Sequence, residues 1–229
     1  MQPVNSLDHL RYIDPMSAWW VALVLLVVFI IIAITNVSSP RKWRLLGQAL
    51  FQMRLGKQTL REEIDLQDRT LLGLLFCSVL VMGLFAWQVF IYLDIPGSPG
   101  YLVWVFLIAA VVFIQSLVLR IAAMIMRVDN GLGEHLYSGL LVFILAGLVL
   151  LPLAVLIAYR PEWRYELLVA GGVVTVLLLL FRWLRGVWIG IGEGVPVRYI
   201  IIYLCATEIL PLLLLVDALR RPIPSLINL

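Results

Sequence analysis

Four ionisable side chains fall inside otherwise apolar runs of the chain: Arg120, Arg182, Arg185 and Glu208. A charge left facing lipid costs at least about 2.5 kcal/mol, so such residues pair with one another, line polar cavities or bind an ion. The chemistry open to this set is ion pairing or anion capture. Arg185 sits about a turn from the end of its run, close enough to snorkel to the headgroups. Arg120 and Arg182 lie roughly 9–12 Å along the helix axis from the ends of theirs, at 1.5 Å per residue. Glu208 is near the middle of its run and has too short a stem to reach water without a cavity.

Helical spacing shows which faces these groups share. Ser116, Arg120 and Arg127 fall on one stripe. Gly171, Thr175 and Arg182 form another, with Arg185 one turn further along, and the small Gly171 and Thr175 invite the close approach of a second helix. Cys205 and Glu208 are a turn apart, and Pro211 frees the carbonyl of Thr207 from its helical bond. A carboxylate beside a loosened turn is one way to build a polar site within a bilayer. An ion pair from Glu208 to Arg120 or Arg182 would fix helix packing, whereas a cytoplasm-facing pocket would bind an anion. One glutamate set against two deep arginines leaves positive charge over. A lipid phosphate, an anionic substrate or an acid from a partner protein would neutralise it.

The elements that hold these residues are long and apolar. Of 229 residues 63% are hydrophobic and 14% charged, with a mean hydropathy of +1.04. Soluble domains are about half apolar and a quarter charged. A water-soluble enzyme, a disulfide scaffold and a disordered chain are therefore excluded. A spanning helix needs about 20 apolar residues, and six windows qualify: 18–35, 70–93, 101–126, 136–159, 166–189 and 197–219. The expected fold is all-α, one polytopic transmembrane bundle over residues 1–229. Asp94 to Gly100 reads as a tight turn, and Gly190 to Pro196 as a flexible one, because no strand precedes it to make a phosphate loop.

Twelve basic residues flank the odd-numbered loops and five flank the termini and even-numbered loops. The positive-inside rule then puts the odd loops in the cytoplasm and both termini outside. The loop 36–69 carries seven of the twelve. Within it Ser39 and Pro40 suit a helix start, and Trp43, Leu46, Leu50 and Met53 recur at helical spacing, as in an amphipathic helix lying on an anionic leaflet. Its second half mixes signs and suits water or a membrane-protein partner. The net charge of +3 reflects these loops and indicates no nucleic acid.

His9 and His135 have no second ligand at helical spacing, and Glu134–His135 beside Asp129 reads as a loop turn, so no metal is expected. Cys77 and Cys205 read as small buried hydrophobes. No cofactor motif or nucleophile–base pairing occurs, which leaves catalytic residues unassigned.

The last run, Tyr203-Leu204-Cys205-Ala206-Thr207-Glu208-Ile209-Leu210-Pro211, resembles the C-terminal signature of a bacterial integral-membrane family known as domain of unknown function 4271. The resemblance implies a multi-span architecture and, within the motif that Tyr203 opens, a joint role for Cys205, Glu208 and Pro211. It implies no reaction. Two classes of function follow from the sequence. One is a non-enzymatic scaffold or assembly subunit of an envelope complex, docked through loop 36–69. The other is an anion- or lipid-handling transporter or membrane enzyme built on the Arg/Glu cluster. The absence of an internal repeat between spans one to three and four to six favours the first.

Overall fold

The computed structural model describes residues 15–38, 69–94, 99–126 and 131–192. They form five long helices: α1 (Trp19–Ser38), α2 (Arg69–Tyr92), α3 (Tyr101–Met126), α4 (Gly131–Tyr159) and α5 (Arg164–Gly192). All five are long and apolar enough to cross a membrane. In lipid a backbone must satisfy its own hydrogen bonds, and an unbroken helix does this within one segment. The sixth apolar window, 197–219, lies outside the described residues.

Bounds at α3 coincide with the sequence reading, and those at α1 and α2 differ by up to three residues. Two helices run longer than read. α4 starts at Gly131, so Glu134 and His135 belong to its opening turns rather than to a loop. α5 continues through Gly192, so Gly190 and Gly192 are helical rather than part of a turn. An interior glycine costs about 1 kcal/mol of helix propensity. Adding turns to a helix already nucleated by an apolar run outweighs that cost.

α2 and α4 form the centre. More than half of each apolar span is buried, 56% in both, against 22% for α1, 11% for α5 and 6% for α3. α1 and α3 pack on α2, and α5 packs on α4. The main cluster holds Val21, Leu25 and Val28 of α1 with Leu84, Leu150, Ala154 and Ile157 of the central pair. Exposed apolar residues such as Leu26, Phe106, Phe113 and Leu177 face outward, where lipid is the solvent.

Helix directions alternate, and the two ends of the bundle differ in kind. At one end Trp20 meets Trp87 edge-on at 4.7 Å and Tyr101 at 5.3 Å, while Phe90 lies 4.4 Å from Trp104. Exposed Trp19, Tyr92, Tyr159, Trp163 and Tyr165 surround that cluster, as in an interfacial aromatic belt. The connections there are short. Asp94 takes a positive φ of 48° after α2, which a short polar side chain tolerates. A 3-10 turn, Pro161–Trp163, joins α4 to α5, and Arg164 Nε donates to Ile157 O at 3.0 Å, satisfying a carbonyl in the last turn of α4. The opposite end carries Arg120, Arg182 and Arg185.

Candidate functional site

Two polar features interrupt the apolar packing. The first is the seam between α2 and α4. Ser78 is buried, and its hydroxyl lies 3.0 Å from Leu74 O and 3.1 Å from Ile144 O, sharing one proton between its own helix and the next. Gly147 makes that approach possible: a Cβ there would stand 2.5 Å from Ser78 Cα, inside any real contact. Ten residues on, fully buried Gln88 donates from Nε2 to Ala154 O at 3.0 Å. Both bonds span the same sequence offset of 66, so α2 and α4 run parallel in fixed register across that distance. On the flanks Cys77 Sγ lies 3.8 Å from Val28 O of α1, and the Phe85 ring occupies the space beside Gly171 of α5.

The second feature is a cleft at the arginine end. α3 and α5 each pack on α4 but hardly on each other, and the gap is lined by Val112, Gln115 and Ser116 of α3, Gly139, Leu140 and Phe143 of α4, and Arg182 of α5. The space it encloses is about 10 Å³, room for about one water molecule. Arg182 lays its guanidinium over the α4 backbone where a side chain is missing: a Cβ on Gly139 would meet Nη2 at 3.4 Å and Cζ at 3.7 Å. Ser116 donates to Val112 O at 2.8 Å in its own helix, its oxygen still able to accept.

The three arginines differ in burial. Arg185 is only 4% exposed, so it is enclosed rather than stretched to the headgroups. Arg182 is half-buried, and Arg120 is exposed. Their depth is set by the aromatic end. A hydrocarbon core of ~30 Å takes about 20 helical residues. Counted from Tyr101, Tyr159 and Trp163, that length ends close to Arg120, Gly139 and Arg182. Arg182 and Arg185 both fall inside the apolar span Pro161–Trp188 of α5.

Glu208, Tyr203, Cys205 and Pro211 lie outside the described residues, as does nearly all of loop 36–69; Asn36–Ser38 are the last residues of α1 and Arg69 opens α2. Of the two small residues on the Arg182 stripe, Gly171 receives Phe85, and Thr175 turns its hydroxyl back to Gly171 O at 2.8 Å. Among the described residues no three His, Cys, Asp or Glu side chains come together to hold a metal. Ser78, Gln88 and Gly147 are the residues that the sequence reading passed over. For Ser78 and Gln88 the signal was uncharged polarity in an apolar run, which in lipid demands a carbonyl partner as charge demands a counter-charge.

The model of the family described as domain of unknown function (DUF4271) matches residues 21–219, most of the chain, and the chain belongs to that family. The match covers α1 to α5 and the Tyr203–Pro211 run. No curated protein and no solved structure matches it.

Proposed function

We propose that this member of the family is a non-catalytic inner-membrane subunit that scaffolds or assembles a bacterial envelope complex. The observation that carries the reading is the α2–α4 seam. Ser78 against Gly147 closes the centre of the bundle by backbone contact, and Leu84, Leu150 and Ile157 are fully enclosed along it. A solute path down this axis would have to separate helices pinned in register by Ser78 and Gln88. A pinned pair flanked by apolar faces suits a component that holds others in place.

In this reading the arginine end is cytoplasmic and both termini are outside, and the basic loop 36–69 meets the anionic leaflet and an acidic partner. The Glu208–arginine set serves as packing glue. Purification in native-lipid particles should yield a stoichiometric membrane-protein partner, lost when Arg41, Lys42 and Arg44 are reversed to Glu while the bundle stays folded. Reporter fusions should be active in the cytoplasm at loop 36–69 and inactive there at Leu229. Substrate flux catalysed by the purified chain alone in proteoliposomes would refute the scaffold reading. That result would favour the second class, an anion- or lipid-handling protein, for which the Arg182 cleft is the supporting feature.

A further inference from the structure

We infer that the groove between α1 and α4 seats one acyl chain of a zwitterionic phospholipid, with the headgroup held at Arg160 and Glu162. The groove lies at the aromatic end, away from the arginine cluster, and a lipid can occupy it whether or not a protein partner docks. The inference therefore goes beyond the scaffold reading and stands apart from it.

Both helices pack on α2 but hardly on each other, which leaves a hollow of about 470 Å³ between them. Ala22, Leu26, Phe29 and Ala33 line its α1 side, and Val155 and Tyr159 its α4 side. Leu25, buried in the main core, lies at its base. The lining is apolar apart from the hydroxyl at the tip of Tyr159.

Length selects the occupant. Ala22 and Ala33 stand roughly 16 Å apart along the helix axis, at 1.5 Å per residue. That is about half of a ~30 Å hydrocarbon core. On α4 the lining stops at Val155, in the last turns of the helix. The groove thus opens beside exposed Trp19 and Tyr159 and runs out near the membrane centre. A spanning helix, from a second copy or from another protein, would need a groove of full depth. An acyl chain belongs to one leaflet and fits end to end. Apolarity alone would not hold it, since lipid tails are as apolar as leucine. Contact does, because a chain lying between two helices meets protein on more sides than one on the convex face of α3.

Charge complementarity sets the headgroup. Arg160 follows Tyr159 directly, and Glu162 stands two residues further on, in the turn to α5; both are exposed. Arg164 is engaged at Ile157 O, but neither Arg160 nor Glu162 is in an ion pair among the described residues. A guanidinium matches phosphate oxygens, and a carboxylate accepts from an ammonium. Phosphatidylethanolamine carries both partners. Phosphatidylglycerol brings nothing for Glu162, and the ammonium of phosphatidylcholine has no proton to donate.

The test uses the full chain in nanodiscs of phosphatidylethanolamine and phosphatidylglycerol, doped with phosphatidylethanolamine whose acyl chain carries a photoreactive diazirine. After irradiation, label should concentrate on residues 22–33 and 155–159, about ten-fold above α3, whose apolar span is the least buried. Ala22→Phe and Ala33→Phe fill the groove from exposed positions that leave the core intact. Each should cut that labelling about ten-fold, whereas Ala110→Phe, exposed on α3, should leave it unchanged. Arg160→Ala should cut it about five-fold, equivalent to ~1 kcal/mol for a basic residue at a membrane surface. The same diazirine on phosphatidylglycerol should label the groove less. Label spread evenly over all the lipid-facing helices overturns the inference and leaves only ordinary surrounding lipid. So does groove labelling that survives both phenylalanine variants, or that is equal for the phosphatidylglycerol probe. A dimer abolished by Ala22→Phe, with labelling unaffected, would give the groove to a second copy instead.

Discussion

Two glycines of α4, Gly147 and Gly139, do opposite things. At Gly147 the missing side chain lets a neighbouring backbone in, and α2 closes against α4 at Ser78. At Gly139 it leaves a hollow over which only the end of a long side chain, Arg182, reaches. The difference lies in the partner. Ser78 belongs to a helix packed along α4, whereas α3 and α5 splay apart beside Gly139. A glycine in a membrane helix is therefore no signal of tight packing until its neighbour is known. The seam fixes register, and at the cleft the end of an α5 side chain takes the place of the missing one.

The largest effect should come from the seam. Gly147→Leu would drive a branched side chain into the backbone of α2 at Ser78, and neither helix can shift without breaking the Gln88–Ala154 bond. Overpacking of this kind costs about 1–3 kcal/mol and occasionally more. Here the upper end or loss of folding is expected, read as the unfolding midpoint in detergent. A midpoint within a few degrees of the parent would show that the seam is not the organising contact.

Next comes Glu208. Removing one member of a buried ion pair leaves an uncompensated charge, at a cost of ~3–5 kcal/mol in water-soluble proteins, and less where lipid headgroups and snorkelling relieve it. Glu208→Ala should destabilise more than Glu208→Gln, whose amide still accepts a hydrogen bond. A swapped pair, Glu208→Arg with Arg182→Glu, should restore some of the stability, together with function if the pair is only glue. Recovered stability with absent function would move the cluster from packing to ligand binding. Two single variants as stable as the parent would remove the ion pair from the account.

The seam and the cleft also differ in how far sequence exposes them. The five described spans were readable because hydrocarbon thickness imposes one length on every apolar run, and Tyr101–Met126 matches to the residue. Ends past the hydrocarbon were not, as Gly131 and Gly190 show, since a glycine that stops a helix in water is tolerated where the chain is already helical. Arginines stand out in an apolar run, which makes Arg120, Arg182 and Arg185 conspicuous. Their burial order was not readable, because it depends on α3 and α5 diverging, and periodicity within one helix carries no information about the distance to another. Ser78 and Gln88 were hidden for another reason. Each is a single neutral side chain whose partner is a backbone carbonyl, and every residue has one.

A smaller effect separates sterics from hydrogen bonding at the seam. Ser78→Ala keeps the close approach to Gly147 and removes only the hydroxyl shared between Leu74 O and Ile144 O. Interhelical hydrogen bonds in membranes contribute about 0.6 kcal/mol on average, because the separated helices find other partners. The expected loss is of that size, well below that of Gly147→Leu. A loss as large as the leucine variant's would mean that the hydroxyl, not the backbone contact, holds α2 on α4.

Gly139→Ala should have the smallest effect. The added methyl would meet Arg182 Nη2 at 3.4 Å, and that atom is the far end of a flexible side chain, free to retreat by a few tenths of an ångström. Against that, α4 replaces a glycine with the best helix former, a gain of up to about 1 kcal/mol. The two contributions oppose each other, so stability should stay within ~1 kcal/mol of the parent, with the balance towards stabilisation. The same substitution at Gly147 puts its methyl 2.5 Å from backbone that cannot retreat. The pair of alanine variants, melted side by side, thus isolates the neighbour as the cause. If Gly139→Ala is the more damaging of the two, α3 and α5 are closer around Arg182 than the open cleft implies, and the contrast between the two glycines fails.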